Sequence, residues 1–288
     1  MLSNIMYTSN YIKLPDQLQS RLAQAQKLNV KPCEDGIYSK KFLTLIACHS
    51  DSMLKLRTII NNVEKLSFPD NKIVIINSTN TVFSETLKKI LNDKFPDVIF
   101  LETINTARLD SGKWMYYLET NFKNILEDFV IFTNDSYVLE DSIYYYYHFV
   151  ANANCMLYGY NDSIQEKKYH YQSYLFSLRN DSLILYMRHF CEVSSKIHEY
   201  KDVVKQIEFK LCEVFPQRDC FLKIANLPGN TGKNIFYTND NLYKLLKRLG
   251  GFPMTKLRRI INPNLICDLM TQGSNRIRNT NLKNIMNG

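Results

Sequence analysis

The residue types that point most directly to chemistry lie in Val130-Ile131-Phe132-Thr133-Asn134-Asp135-Ser136. An apolar run rich in β-branched and aromatic residues, too short for a helix, stops abruptly at a small polar cluster around one aspartate. The run reads as a buried strand. Ligands of open α/β sheets sit beyond the carboxyl ends of such strands. A lone carboxylate there, flanked by Asn134 and Ser136, suits one divalent cation that also touches a diphosphate. The competing reading is that Asn-Asp-Ser makes a turn or caps the following helix. The surrounding chain weighs toward the first.

That cluster needs a sheet to hold it, and the pattern before it supplies one. Lys41 to Ala47, Lys72 to Ile76, Val98 to Leu101 and Phe129 to Thr133 are continuous apolar runs of strand length. Between them, Met53 to Leu66 carries Leu56, Ile59, Ile60 and Val63 at helical spacing, and helices are predicted over Phe83 to Leu91 and from about Gly112 to Leu126. Repeated βαβ units with strands apolar on both faces predict an α/β fold with a mostly parallel central sheet. After Ser136 the pattern changes: a short helix over Ser142 to Val150, strands over Cys155 to Tyr160 and Tyr171 to Leu178, then mostly helix from Leu183. Three segments are expected: a helical N-terminal extension over 1–38, the α/β domain over 39–226, and a basic helical tail over 227–288, with Pro228-Gly229-Asn230-Thr231-Gly232 as the linker.

At 288 residues, 45% hydrophobic and 22% charged, the chain can bury a full core and is neither disordered nor fibrous. The seven cysteines are odd in number and show no C-x-x-C spacing, so neither a disulfide framework nor a zinc site is expected; reduced thiols in a cytoplasmic setting are. No signal peptide is expected in Met1 to Gln17, and no apolar run approaches the ~20 residues that span a bilayer. From Lys233 onward there are ten basic residues against Asp240 and Asp268, so the tail carries the whole formal charge of +8. It would favour phosphates, anionic headgroups or nucleic acid, or else form a solvated helix face.

Around Asn134-Asp135-Ser136, further elements stand in a telling order. Leu109-Asp110-Ser111-Gly112-Lys113-Trp114 precedes it; Tyr169-His170-Tyr171-Gln172-Ser173-Tyr174 follows; Phe252-Pro253-Met254-Thr255-Lys256-Leu257 and Asn262-Pro263 come late. The Asp135 cluster resembles the D-x-D-type element of glycosyltransferases with a GT-A fold. The whole order, over roughly residues 40–265, resembles the rhamnan synthesis F family of polysaccharide glycosyltransferases, with its D-x-G-x-W element, its Asn-Asp-Ser and its His-x-Gln-Ser-Tyr strand. Thr106, Arg108 and Val138-Leu139 depart from the family pattern.

The resemblance implies a GT-A-like nucleotide-sugar transferase, often one acting on rhamnose-containing polymers. Asp135 would hold Mg²⁺ or Mn²⁺ against the donor diphosphate, with His170 as a second ligand or phosphate partner; a hydrogen-bonded strand histidine is the alternative. With one carboxylate in place of two, either the metal is held weakly or lysines and arginines do part of the work. Asn134 and Ser136 flank the metal. Asp110 would hold ribose or sugar hydroxyls, or cap the helix near Gly112, where glycine allows close backbone approach. Gln172 and Ser173 would orient acceptor or pyrophosphate; by strand alternation His170 and Gln172 share one face and Ser173 the other. The base that takes the acceptor proton in an inverting transfer would be Glu208, with Asp162 and Glu166, in the loop after Gly159, as rivals. Trp114 reads as core before sugar platform, and so does at least part of Tyr144-Tyr145-Tyr146-Tyr147.

The partners implied are a nucleotide-sugar donor, a glycan or lipid-linked acceptor, and an anionic membrane touched peripherally by the tail. No nucleic-acid motif is present. Gly229 to Asn234 lacks the spacing and preceding strand of a phosphate loop. The alternative from another class is a non-catalytic glycan-binding or scaffold protein on a decayed transferase fold.

Overall fold

The computed structural model describes residues 14–28, 39–225, 227, 235 and 240–257. The expected linker, Asn262-Pro263 and much of the basic tail lie outside these residues. The elements run α1 (Asp16–Leu28), β1 (Phe42–Cys48), α2 (Met53–Leu66), β2 (Asn71–Ser78), α3 (Ser84–Lys94), β3 (Ile99–Thr103), α4 (Leu109–Asn121), β4 (Phe129–Asn134) and β5 (Tyr137–Leu139). Then come α5 (Tyr144–Asn152), β6 (Leu157–Gln165), β7 (Lys168–Tyr171), β8 (Leu175–Arg179), α6 (Leu183–Ser194), α7 (Tyr200–Val203), a π-helical segment (Val204–Glu208), α8 (Phe209–Val214), β9 (Arg218–Leu222), α9 (Asp240–Arg248) and β10 (Met254–Lys256).

The expected α/β class with a mostly parallel central sheet is borne out. The described strands form an eight-stranded sheet in the order β3-β2-β1-β4-β8-β6-β7, with β9 also on β6. β3, β2, β1 and β4 are mutually parallel. β8 joins β4 antiparallel and β6 joins β8 antiparallel. The chain winds outward from β1 through β2 to β3, then returns to place β4 on the other side of β1. A crevice at the carboxyl ends of β1 and β4 is the geometric result, and open α/β sheets bind ligands at such a reversal.

Both faces of the sheet are covered, which is why its central strands are continuously apolar. Phe42, Ile46, Ile75 and Ile131 point into one core with α2, α3 and α5; Leu43, Leu45, Val74 and Phe132 point into the other with α4, α6 and α8. Helix α1 and helix α9 pack into the first of these cores through Leu18, Leu22, Leu242 and Leu246. Tyr144 to Tyr147 are all buried, the last three in that core. Tyr147 joins Thr44 Oγ1 at 2.8 Å and Tyr146 donates to the Tyr158 carbonyl at 2.9 Å, so the quartet is core rather than a sugar-stacking surface.

Two features escape the sequence pattern. The strand expected over Tyr171 to Leu178 is two strands, β7 and β8, with Gln172, Ser173 and Tyr174 between them. And β5 pairs antiparallel with β10, Tyr137 opposite Lys256, bringing the far end of the described chain beside Asn134-Asp135-Ser136.

Gly159 in β6 marks a tight contact. A Cβ there would lie 2.5 Å from Tyr171 Cγ, in a buried strand pair that cannot spread. Gly159→Ala should destabilise the protein by about 1–3 kcal/mol through overpacking, read as a lowered midpoint in urea unfolding with an unchanged slope. Among the described residues no helix is long and apolar enough to cross a membrane.

Candidate active site

Asp135 follows β4 directly, and its backbone N–H donates to the Ala47 carbonyl of β1 at 3.2 Å, so the turn is anchored to the neighbouring strand. The residue is 5% exposed, a burial that an ionised carboxylate sustains only with partners. One oxygen accepts the His49 N–H at 2.7 Å, from the residue that follows β1. The other accepts the Lys55 ammonium at 2.5 Å. Lys55 sits in the first turn of α2, whose N-cap Ser52 accepts the Lys55 N–H at 3.3 Å. A cation there opposes the helix dipole, and the Asp135 carboxylate is what offsets it.

Asn134 braces its neighbours. Its Nδ2 donates to Asp110 at 2.8 Å, and its Oδ1 accepts from the Ser136 N–H at 3.1 Å and the Ser136 hydroxyl at 2.6 Å. Asp110 lies inside the first turn of α4 rather than at its N-cap, which is Arg108 and makes no side-chain cap bond. Burial, and after it the charge of Asp135, push its carboxyl above the usual aspartate range. The helix begins three residues earlier than expected, with Leu109 at φ 51°. Gly112 is needed by the protein itself: a Cβ would meet Arg108 Cβ at 2.9 Å and Thr106 Oγ1 at 3.1 Å.

Next on α4 is Lys113, 3% exposed, whose ammonium donates to the Cys48 carbonyl at the end of β1 at 2.6 Å. Trp114 is 2% exposed, donates to the Thr133 carbonyl at 3.2 Å and meets Phe132 and Phe176 edge-on, so it is core. From β10, Lys256 donates to Ser136 Oγ at 2.7 Å, and its ammonium lies 5.2 Å from the Tyr174 ring centroid. Burial pulls its pKa down to about 8, against the opposing pull of Asp110 and Glu208.

Glu208 completes the cluster. It ends the π-helical segment, where the Phe209 N–H reaches back to the Val204 carbonyl. π-Bulges of this kind recur at functional sites because they re-aim a side chain without ending the helix. Ser173 donates to Glu208 Oε1 at 2.7 Å. Burial pushes the Glu208 carboxyl above the ordinary glutamate range, partly countered by Ser173 and by Lys256.

Of the three carboxylates expected as bases, the structure brings Glu208 alone to this cluster. Asp162 is not in the expected loop, whereas Glu166 is in a turn. Asp162 is inside β6, buried, and accepts the Ile224 and Ala225 N–H groups at 2.6 and 2.9 Å. Glu166 is at the exposed tip of the β6–β7 hairpin, where it and Lys167 take positive φ. Gln172 and Ser173 follow the end of β7, so strand alternation does not govern them. His170 and Gln172 meet at 3.1 Å while Ser173 turns to Glu208.

His170 contacts Lys168, Gln172 and the Phe209 ring, none of them members of the Asp135 cluster. Burial holds it below the usual histidine pKa. The network assigns a neutral ring, Nδ1–H donating to the Lys168 carbonyl at 3.0 Å and Nε2 accepting from Gln172. A resident Mg²⁺ or Mn²⁺ needs several oxygen or imidazole ligands converging on one point. Among the described residues no group of three or more His, Cys, Asp and Glu side chains does so. The oxygens of Asp135 are engaged by an ammonium and an amide, and Asp110 is tied to Asn134. In this arrangement Asp135, with both oxygens engaged by Lys55 and the His49 N–H, presents no free ligand to a divalent cation.

Sequence reasoning named Asp110, Asn134, Asp135, Ser136, Ser173 and Glu208. It assigned no role to His49, Lys55 or Lys113. Lys256 was visible in its Pro-x-x-Lys motif, but nothing in the spacing said that it reaches Ser136.

No protein-family model matches the chain, so the likeness to the rhamnan synthesis F family rests on its motifs. No curated protein matches it in sequence. Solved structures do match. A mannosyltransferase from Pyrobaculum calidifontis, in complex with GDP-Man and Mn²⁺, is 13% identical over 60% of this chain and 54% of its own, at a TM-score of 0.39. The glycosyltransferase GlyE of Streptococcus pneumoniae is 9% identical over 63% of this chain and 45% of its own, at 0.42. An inositol-1-phosphate CTP transferase from T. maritima is 9% identical over 74% of this chain and 97% of its own, at 0.40. The chain thus spans about half the length of the two sugar transferases. Likenesses at these scores carry no functional assignment.

Proposed function

We propose that this protein transfers a sugar from a nucleoside diphosphate donor to a hydroxyl of a growing glycan. The observation that carries the reading is the meeting of Asp110, Asp135, Glu208, Lys55, Lys113 and Lys256 at the carboxyl ends of β1 and β4, with Glu208 oriented by Ser173. Glycosyl transfer asks for two things there: positive charge where the diphosphate departs, and a carboxylate where the acceptor loses its proton. The lysines answer the first and Glu208 the second.

In the proposed reaction the acceptor oxygen attacks the anomeric carbon from the face opposite the diphosphate. The new C–O bond forms as the bond from the anomeric carbon to the β-phosphate oxygen breaks. The nucleoside diphosphate leaves with that electron pair, and the acceptor proton passes to Glu208. Inversion follows from attack on the opposite face. Asp110, braced by Asn134, is the hydroxyl partner for ribose or sugar. The resemblance to the rhamnan synthesis F family makes rhamnose or another deoxysugar the first donor to try. A lipid-linked acceptor would sit where basic residues of the tail meet anionic headgroups.

Calorimetric titration of the folded protein with UDP, GDP and dTDP tests the reading. Saturable binding of one of them, weakened in Asp110→Ala, is the expected result. If none binds to well-folded protein, the scaffold reading takes its place.

A further inference from the structure

We infer that the donor diphosphate is held by lysine ammonium groups, Lys55 and Lys256 foremost, and that this protein binds it without a divalent cation. The inference rests on the proposed nucleotide-sugar reading and specifies how that site handles phosphate.

Lys55 stands where a cation would have to stand. Its Nζ is 2.5 Å from one Asp135 oxygen and 3.4 Å from the Asp135 carbonyl, so side chain and main chain of the same residue converge on a single positive charge. That convergence on Asp135 is what a metal ligand would offer, and an ammonium takes it. Lysine is a competent phosphate partner as a point charge with three rotatable donors. The Lys55 side chain is a quarter exposed, against 7% for that of Asp135. It also sits in the first turn of α2, whose N–H groups favour the same anion.

Lys256 reaches Asn134-Asp135-Ser136 from a different element. It arrives on β10, whose pairing with β5 fixes it opposite Tyr137, and it donates to Ser136 Oγ at 2.7 Å. Lysine burial is costly, and the depressed pKa of this group records that cost. A diphosphate bound beside it would restore the lost stabilisation of the charge. Lys113 adds a third positive centre behind the strand ends, locked on the Cys48 carbonyl and therefore part of the fixed field more than of the contact. The departing diphosphate gains negative charge as the glycosidic bond breaks. Preorganised ammonium groups stabilise that charge in the way a metal does, with no metal to capture.

The test is calorimetric titration of the full chain with UDP, GDP, dTDP and inorganic pyrophosphate, in EDTA and again in Mn²⁺ or Mg²⁺. The expected result is equal affinity in EDTA and in metal for the nucleotide that binds. Lys55→Gln and Lys256→Gln should each weaken it about 10-fold or more, the worth of a charge-assisted contact. Lys55→Gln leaves Asp135 without its cation and could unfold the site, so Lys55→Arg is made beside it. Arg keeps the charge and should retain most of the affinity. Nucleotide binding seen in Mn²⁺ but abolished by EDTA would overturn the inference and leave the donor-site reading standing. EDTA-insensitive binding that survives both glutamine variants would overturn it as well. Absence of binding to any nucleotide under either condition would remove the donor site and this inference together.

Discussion

Glu208→Gln should lower the turnover number for sugar transfer by about 10²–10⁴-fold, the range of a lost general base, with nucleoside diphosphate affinity unchanged. The amide is the same shape, still accepts the Ser173 hydroxyl, and removes a buried charge, so the fold has no reason to yield. The wild-type pH profile carries the second half of this prediction. Glu208 acts ionised, so kcat/KM rises with pH through its pKa, which burial lifts above the ordinary glutamate range. Lys256 acts as an ammonium, so kcat/KM falls again as pH rises through about 8. The profile is a bell, and Glu208→Gln loses its acid limb while keeping the alkaline one. An acid limb that persists in the variant, or turnover within a few-fold of wild type, would remove Glu208 from the chemistry.

The second large effect is on stability. Trp114→Ala should cost about 3–5 kcal/mol of unfolding free energy, the cavity and transfer cost of truncating a large buried aromatic residue. Trp114 fills the junction of α4, β4 and β8 against Phe132 and Phe176, and its indole N–H satisfies the Thr133 carbonyl. The same helix carries Asp110 and Lys113, so the site should loosen along with the core. Urea unfolding followed by far-UV circular dichroism reads the change. A sugar platform would behave in the opposite way: stability kept and glycan affinity lost.

How much of this the sequence revealed depends on the range of the interactions involved. β1, β2 and β4 were legible because burial on both faces leaves an uninterrupted apolar run, and α2 because Leu56, Ile59, Ile60 and Val63 repeat at helical spacing. Asp135 was legible because a polar cluster after such a strand has a fixed place in an open sheet. The placement of Asp162 inside β6 was not legible, because what sustains a buried carboxylate there is the distant pair of amides of Ile224 and Ala225. The tips of the β6–β7 turn gave no warning, since Glu166 and Lys167 are ordinary residues in left-handed backbone. Lys256 was hidden for another reason. Its three-residue strand is too short to announce itself, and its partner β5 is equally short and far away in the chain. The π-helical turn that aims Glu208 has no composition signal, because Val204 to Glu208 would pass for any amphipathic helix.

The pairing of β5 with β10 has a consequence for how this protein is made. Lys256 and Ser136 are 120 residues apart, and their contact cannot exist until everything between them has been synthesised. Domains fold from the N-terminus as they leave the ribosome. The strands β1 to β4, with Asp135 already at their edge, can assemble while Lys256 has yet to be translated. A nascent chain therefore owns the scaffold of this cluster well before it owns the Lys256 charge that joins it, and ribosomes that stop short release a shape without that lysine.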